Sequence, residues 1–258
     1  MLILIAESKT MAPCNIPVSQ NEYILHTPGL ESRAEGIMDS LRNASSEQLA
    51  EEVKLSLPMV RKLQQMIYEF PNKALGAKAI EAFTGVVFKA FDYQSLSAKD
   101  CTQANEKIRI ISSLYGWLRP DDIVKPYRFD FTTPVAPGGK PLATYWRDAV
   151  TKCLSDELAK GKHHDILNLL PGDAARCVDW KLIGSNFKVW KADFKEILPG
   201  GITRTPNAGK LKTLRGRLLR QIITEDIDSP MELLNIEGDG YVGSDETDTS
   251  GNILFHTV

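Results

Sequence analysis

Apolar positions along the chain follow two kinds of pattern. Leu2-Ile3-Leu4-Ile5-Ala6 is an unbroken apolar run that ends at Glu7, as expected of a strand covered on both faces. Residues 108–113, IRIISS, also read as a strand, and 166–170, ILNLL, as a second strongly apolar one. Residues 187–194 alternate and then slip phase at Val189–Trp190, which predicts an edge strand with a bulge. Helical periodicity covers 31–43, and Ser45 followed by Gln48 is a capping box opening a helix over 46–54. Ser56 before Pro58 reads as the cap and first turn of a helix reaching about Phe70. Further helices are expected over 74–83, from Ser97 and Asp100 to about Glu106, over 143–160 with Gly161 closing it, and over 208–225. The chain ends in an expected hairpin turning at 250–252. This mixture places the chain in the α/β class (mixed α+β). No repeat, low-complexity stretch or Pro- or Ser-rich linker divides it, so 1–258 is expected to be a single domain.

Composition narrows the class without changing it. The 258 residues are 43% hydrophobic and 25% charged, ordinary globular usage. No apolar run is long enough to span a bilayer, and MLILIAESKT lacks the basic start of a signal peptide. Cys14, Cys101, Cys153 and Cys177 are widely spaced, which favours free thiols in a reducing compartment over disulfides or a zinc site. The net charge of −2 hides an asymmetry. Between Arg176 and Arg220 eleven basic residues face three acidic ones, whereas Gln221 to Val258 holds nine acids and no Lys or Arg. Either the acidic tail folds back over the basic segment, or one face is positive enough to hold phosphates.

The helix at 208–225 carries Leu211, Leu214, Leu218 and Ile222 on one stripe, with Arg215 inside it and Lys210, Arg217 and Arg220 toward the other side. An arginine within an apolar stripe requires a carboxylate or an anionic ligand. Residues 114–131, LYGWLRPDDIVKPYRFDF, raise the same question. Pro120 and Pro126 stiffen the backbone around Arg119 and Arg128, while Tyr115, Trp117 and Tyr127 offer flat rings for stacking. The alternative is a structural loop in which the arginines pair with Asp121, Asp122 and Asp130. Walker loops, GxGxxG, GxSxG and HExxH are all absent, and the adjacent His163 and His164 are poor joint metal ligands.

Taken together, the motifs resemble the YaaA family of bacterial peroxide-stress proteins. The resemblance is carried by Leu2-Ile3-Leu4-Ile5 with Lys9-Thr10, Phe83-x-Gly85-x-x-Phe88, Leu114-Tyr115-Gly116, Leu118-Arg119-Pro120, Asp122, Pro126-Tyr127-Arg128, Trp146 with Asp148, Asn168-Leu169, Lys212, Arg215-Gly216, Arg220 and Asp239-Gly240-Tyr241. The chain departs from the family pattern at Phe88, at Leu170 to Ala174, and at Lys210, where the family tends to carry an aromatic ring.

The resemblance implies a single-domain fold peculiar to the family, a central mixed sheet flanked by helices, with a positively charged cleft. It also implies a cytoplasmic oxidative-stress protein that limits free-iron damage and binds double-stranded DNA with low sequence specificity. The implied DNA- or anion-binding residues are Lys9, Arg119, Tyr127, Arg128, Lys210, Lys212, Arg215 and Arg220. A helix-hairpin-helix is expected at 46–70, with Ser56, Arg61 and Lys62 as its contacts; an ordinary helix pair burying Leu49, Val53, Val60, Leu63 and Ile67 is the alternative. No metal, cofactor or membrane partner is implied. The competing function is an enzyme acting on a nucleotide or nucleobase-like substrate, held by an anion clamp of Lys9, Arg119, Arg128 and Arg215 with Tyr127 as acid.

Overall fold

A computed structural model describes residues 1–13, 16–17, 19–20, 26–73, 75–247 and 251–257. Its strands are β1 (Leu2–Ala6), β2 (Ile16–Pro17), β3 (Leu75–Lys78), β4 (Ile108–Ser112), β5 (Gly116–Leu118), β6 (Ile123–Val124), β7 (Asp165–Asn168), β8 (Lys188–Ile197), β9 (Thr203–Arg204), β10 (Glu237–Gly238), β11 (Tyr241–Thr247) and β12 (Asn252–Thr257). Its helices are α1 (Glu31–Leu41), α2 (Ser46–Val53), α3 (Leu57–Glu69), α4 (Ala79–Ala82), α5 (Val86–Phe91), α6 (Ala98–Lys107), α7 (Leu142–Ala159), α8 (Gly172–Ala175), α9 (Trp180–Gly184) and α10 (Ala208–Thr224).

The central sheet is mixed and nine-stranded, in the order β10-β11-β12-β8-β7-β1-β4-β5 with β9 on β8. Its middle is parallel: β12, β8, β7, β1 and β4 run the same way. Helices cover both faces of such a sheet, which is why β1 reads as a continuous apolar run and every residue of β4 is buried. Leu2, Ile3, Leu4, Ile108, Ile110 and Ile111 are fully buried in the main hydrophobic cluster. From β1 the chain first crosses to β4 on one side, then returns to β7, β8 and β12 on the other. The strand order therefore reverses at β1, and the crevice at its carboxyl end is where open α/β sheets bind ligands.

Several local expectations are met. Ser45 with Gln48 and Ser97 with Asp100 form capping boxes; a cap the sequence reading did not propose, Asn207 accepting from the Lys210 amide, opens α10. Leu49, Val60, Leu63 and Ile67 are buried between α2 and α3, with Val53 packed against the core. Lys54, in the left-handed region at φ 52°, turns the chain from α2 toward α3.

Two element expectations are corrected. The helix expected over 74–83 is helical only at α4; before it β3 pairs with β2 and β6, so pairing in a second three-stranded sheet overrides local helix preference (residue 74 lies outside the described residues). Nor is β8 a bulged edge strand. It is paired in parallel with β7 and β12 in unbroken register, and its polarity reflects a covered face with Trp190 and Phe194 and a more open one with Lys191 and Lys195. Strands β11 and β12 pair antiparallel as the expected hairpin requires, but Ser250 of its turn lies outside the described residues. Cys101, Cys153 and Cys177 are free thiols, and Cys14 also lies outside the described residues. Among the described residues no helix is long and apolar enough to cross a membrane.

Candidate functional site

Directly after β1, residues Glu7 to Thr10 form one wall of a cleft of about 370 Å³. Opposite lie Val86 and Phe88 of α5, Phe131, and Pro171 and Asp173 at the start of α8, with Lys212 of α10 at the rim. The close approach of these walls depends on Gly85, where a Cβ would run into the Ser8 hydroxyl and come within 2.8 Å of its Cβ. A second glycine sets the position of Lys212. At Gly216, a Cβ would meet the Val87 carbonyl and stand 2.7 Å from the Ala90 Cβ, so its absence lets α10 lie tightly on α5.

Two further depressions adjoin the cleft and share Lys9 with it. One, of about 280 Å³, runs from Lys9 and Arg128 to Lys54 at the α2–α3 turn. The other, of about 500 Å³, runs from Lys9 and Arg128 to Lys62 and Met66 on α3. Lys9 is thus the residue shared by a groove made of the three depressions, whose cations come from β1's end, the α2–α3 pair, the 126–130 segment and α10 and stand beside the acids Glu7, Glu52, Glu69, Asp130 and Asp173. Its Nζ lies 3.0 Å from Asp130, but the Lys9 side chain is 67% exposed. Such a pair contributes at most about 1 kcal/mol and leaves Lys9 free to turn to another anion. Asp130 is held down to about 2 against the effect of its own burial, by Thr132 and Lys9. Arg128 donates through Nη1 to the Lys9 carbonyl (3.0 Å), which fixes its direction without neutralising its charge.

Of the residues expected to bind anions, Lys9, Arg128 and Lys212 lie around this groove, and so does Lys62 of the expected hairpin contacts. Tyr127 reaches the 500 Å³ depression only as a buried ring, and the others are placed elsewhere. Arg119 follows β5, which runs back along β4 with Leu118 opposite Ile110; it emerges near Arg109, at the opposite end of the sheet from the cleft. Tyr127 presents no face for stacking. Its ring is buried among Phe83, Tyr115 and Phe129, and its hydroxyl donates to Glu7 and lies 2.7 Å from that of Ser112. Tyr115 and Trp117 are buried as well.

Lys210 ties α10 to Glu196 (3.1 Å) and Thr257, and Arg220 donates to the carbonyls of Phe91 and Asp92 at the end of α5; both serve the fold. Arg215 is half-buried near Asp193, not in the cleft; burial lowers its pKa and its Nε has no hydrogen-bond partner. Ser56 and Arg61 are exposed on the α2–α3 pair. The aspartates take roles other than pairing with the two arginine forks: Asp122 accepts from the Arg119 amide, and Asp121 pairs with His26. The acidic tail does fold back in part, Asp239 meeting Arg217 at 3.0 Å.

The residue that pattern reading missed is Glu7. Oε2 accepts from the Ser113 amide (2.8 Å) and from the Tyr127 hydroxyl, and the side chain lines the cleft floor. Burial raises its pKa to about 7, outweighing those hydrogen bonds, and pushes the neighbouring Cys177 thiol up to about 12. The available signal was an acid ending a strand apolar enough to be central. Among the described residues no group of three His, Cys, Asp or Glu side chains is arranged to hold a metal ion.

A family model described as peroxide stress protein YaaA matches residues 1–247. A UPF0246 protein of Burkholderia vietnamiensis is 28% identical over 255 residues, covering 93% of this chain and 92% of its own. Another, from Paraburkholderia phytofirmans, is 27% identical over 266 residues, covering 99% and 98%.

Proposed function

The chain belongs to the peroxide stress protein YaaA family, and on that premise we propose that it answers peroxide stress by holding double-stranded DNA along the groove that meets at Lys9. The carrying observation is that Lys9 joins three depressions whose other cations, Lys54, Lys62, Arg128 and Lys212, come from three further parts of the chain. Lys and Arg side chains set among the acids of this groove suit phosphate contacts and leave base edges unread, so affinity falls with salt and is nearly independent of sequence. In this reading α2 and α3 act as the helix-hairpin-helix, presenting Lys54 and Lys62 to the backbone. The link to iron follows from ion exchange: a protein that neutralises phosphates releases their counterions, ferrous ions included, and so moves peroxide chemistry away from the DNA. Residues 1–258 act as one domain, in the cytoplasm. The test is anisotropy of two labelled duplexes of unrelated sequence at low and high salt. Similar affinities that collapse with salt are expected; no binding at low salt rejects the reading.

A second reading is favoured by one feature, the position of the cleft at the strand-order reversal with a carboxyl on its floor. There the cleft takes a small anionic ligand such as a nucleotide, and the protein is an enzyme. A thermal-shift screen tests it: stabilisation by a nucleotide supports it, and a flat response across the set removes it.

A further inference from the structure

The floor of the cleft differs in chemistry from its rim, and the difference specifies a ligand. The rim is charged, with Lys9, Lys212, Asp130 and Asp173. Below it the walls are apolar, formed by the buried rings of Phe88 and Phe131 among others. At the bottom stands one carboxyl, Glu7, held by the Ser113 amide and the Tyr127 hydroxyl, both of which bond to Oε2. The Ser112 and Ser113 hydroxyls also act on this carboxyl, and the Glu7 side chain lines the cavity. A cavity of about 370 Å³ is within the range of small-molecule sites, which pair apolar walls with a few orienting polar groups.

We infer that Glu7 is the recognition residue for a flat ring that donates an N–H to the cleft floor and carries a phosphate toward Lys212, the chemistry of a nucleoside monophosphate. This rests on the small-ligand reading of the cleft and adds to it the group that reads the ring. Duplex DNA, with its bases stacked, has no means of placing a ring there.

The electrostatics agree with the geometry. Glu7 titrates at about 7, so it shifts between neutral and acceptor-only forms near neutrality. Among the groups facing it, the Tyr127 hydroxyl and the Cys177 thiol are kept protonated by burial, and Asp130 is ionised far below this range. Lys9, Lys212 and Asp173 complete the charged surroundings. A ligand N–H is bound by the carboxylate form, so affinity rises about tenfold from pH 6 to pH 8.

The experiment is calorimetric titration of the full chain with AMP, GMP, CMP and UMP, their parent nucleosides, and inorganic phosphate. It is run at pH 6 and pH 8 on the wild type, Glu7→Gln and Lys212→Ala. At least one monophosphate is expected to bind the wild type with the tenfold pH gain. Glu7→Gln weakens it at least tenfold and removes the pH dependence, while inorganic phosphate binds that variant as it binds the wild type; this also separates Glu7 from the ligand's own phosphate ionisation. Lys212→Ala weakens the monophosphate and spares the nucleoside. Val86→Trp, at an exposed position on the cleft wall, blocks binding and serves as the second variant if Glu7→Gln fails to fold. A monophosphate that binds Glu7→Gln as tightly as the wild type overturns the role of Glu7 and leaves the small-ligand reading standing. No binding of any monophosphate to the wild type overturns both.

Discussion

At the scale of single residues, buried carboxyls govern how the protein responds to pH. Glu7 and Asp122 are both raised to about 7 by burial, from ordinary values of 4.5 and 3.8. The unfolded chain releases these protons near pH 4, whereas the folded form keeps them to about 7. Their contribution to stability is therefore greatest in acid and declines as pH rises from about 4 to about 7, then stays level. Asp130 and Glu157, lowered to about 2, act in the opposite sense: they stabilise the fold above about pH 4 and lose that contribution as pH falls toward 2. Urea midpoints are accordingly expected to be higher at pH 5 than at pH 8. Asp122→Asn, which keeps an oxygen for the Arg119 amide, is expected to narrow that gap; a gap unchanged in the variant contradicts the assignment. The same scale shows what the sequence leaves out at Tyr127. A tyrosine beside an arginine and a proline has the composition of a binding loop, and only the partner of its hydroxyl, 120 residues away at Glu7, makes it part of the core.

At the scale of elements, what a segment does alone was readable and what it does in company was not. The runs at β1, β4 and β7 announce themselves because both faces of a parallel strand are covered. The caps at Ser45 and Ser97 are set by residues three apart. The stripe of α10 is equally local, with Leu214, Leu218 and Ile222 buried as its spacing requires. Strand β3 and the interior place of β8 depend on partners remote in sequence, and nothing within either segment specifies them. Packing of α10 gives a direct test. Ala is favoured over Gly in a helix by about 1 kcal/mol, yet at residue 216 its methyl group meets the Val87 carbonyl and Ala90. Overpacking of this kind costs about 1–3 kcal/mol, so Gly216→Ala is expected to lower the melting temperature and to shift Lys212 relative to the cleft. A variant as stable as the wild type contradicts the close approach of α10 and α5. Ser45→Ala, which removes the hydroxyl accepting from the Gln48 amide, is expected to cost about 1 kcal/mol in denaturant unfolding.

At the scale of the whole molecule, the sheet order decides which cations can act together. Residues far apart in sequence meet because β1 lies between β4 and β7, so Lys9 at its end is close to the 126–130 segment and to α10. Arg119, only nine residues from Arg128, is carried to the other end of the sheet by the antiparallel return of β5. The cations were thus legible as a list, and which of them meet, and with which acids, was not, because topology is absent from any short stretch of sequence. The central claim is that Lys9, Lys62, Arg128 and Lys212 form one groove for a polyanion. Its most direct test is the slope of log affinity for duplex DNA against log salt, compared between the wild type and the variant in which all four are alanine. Each phosphate contact contributes about 0.9 to that slope, so removal of four is expected to flatten it by about 3–4 and to weaken binding on every sequence alike. Equal slopes for the two proteins, with binding intact, contradict the account.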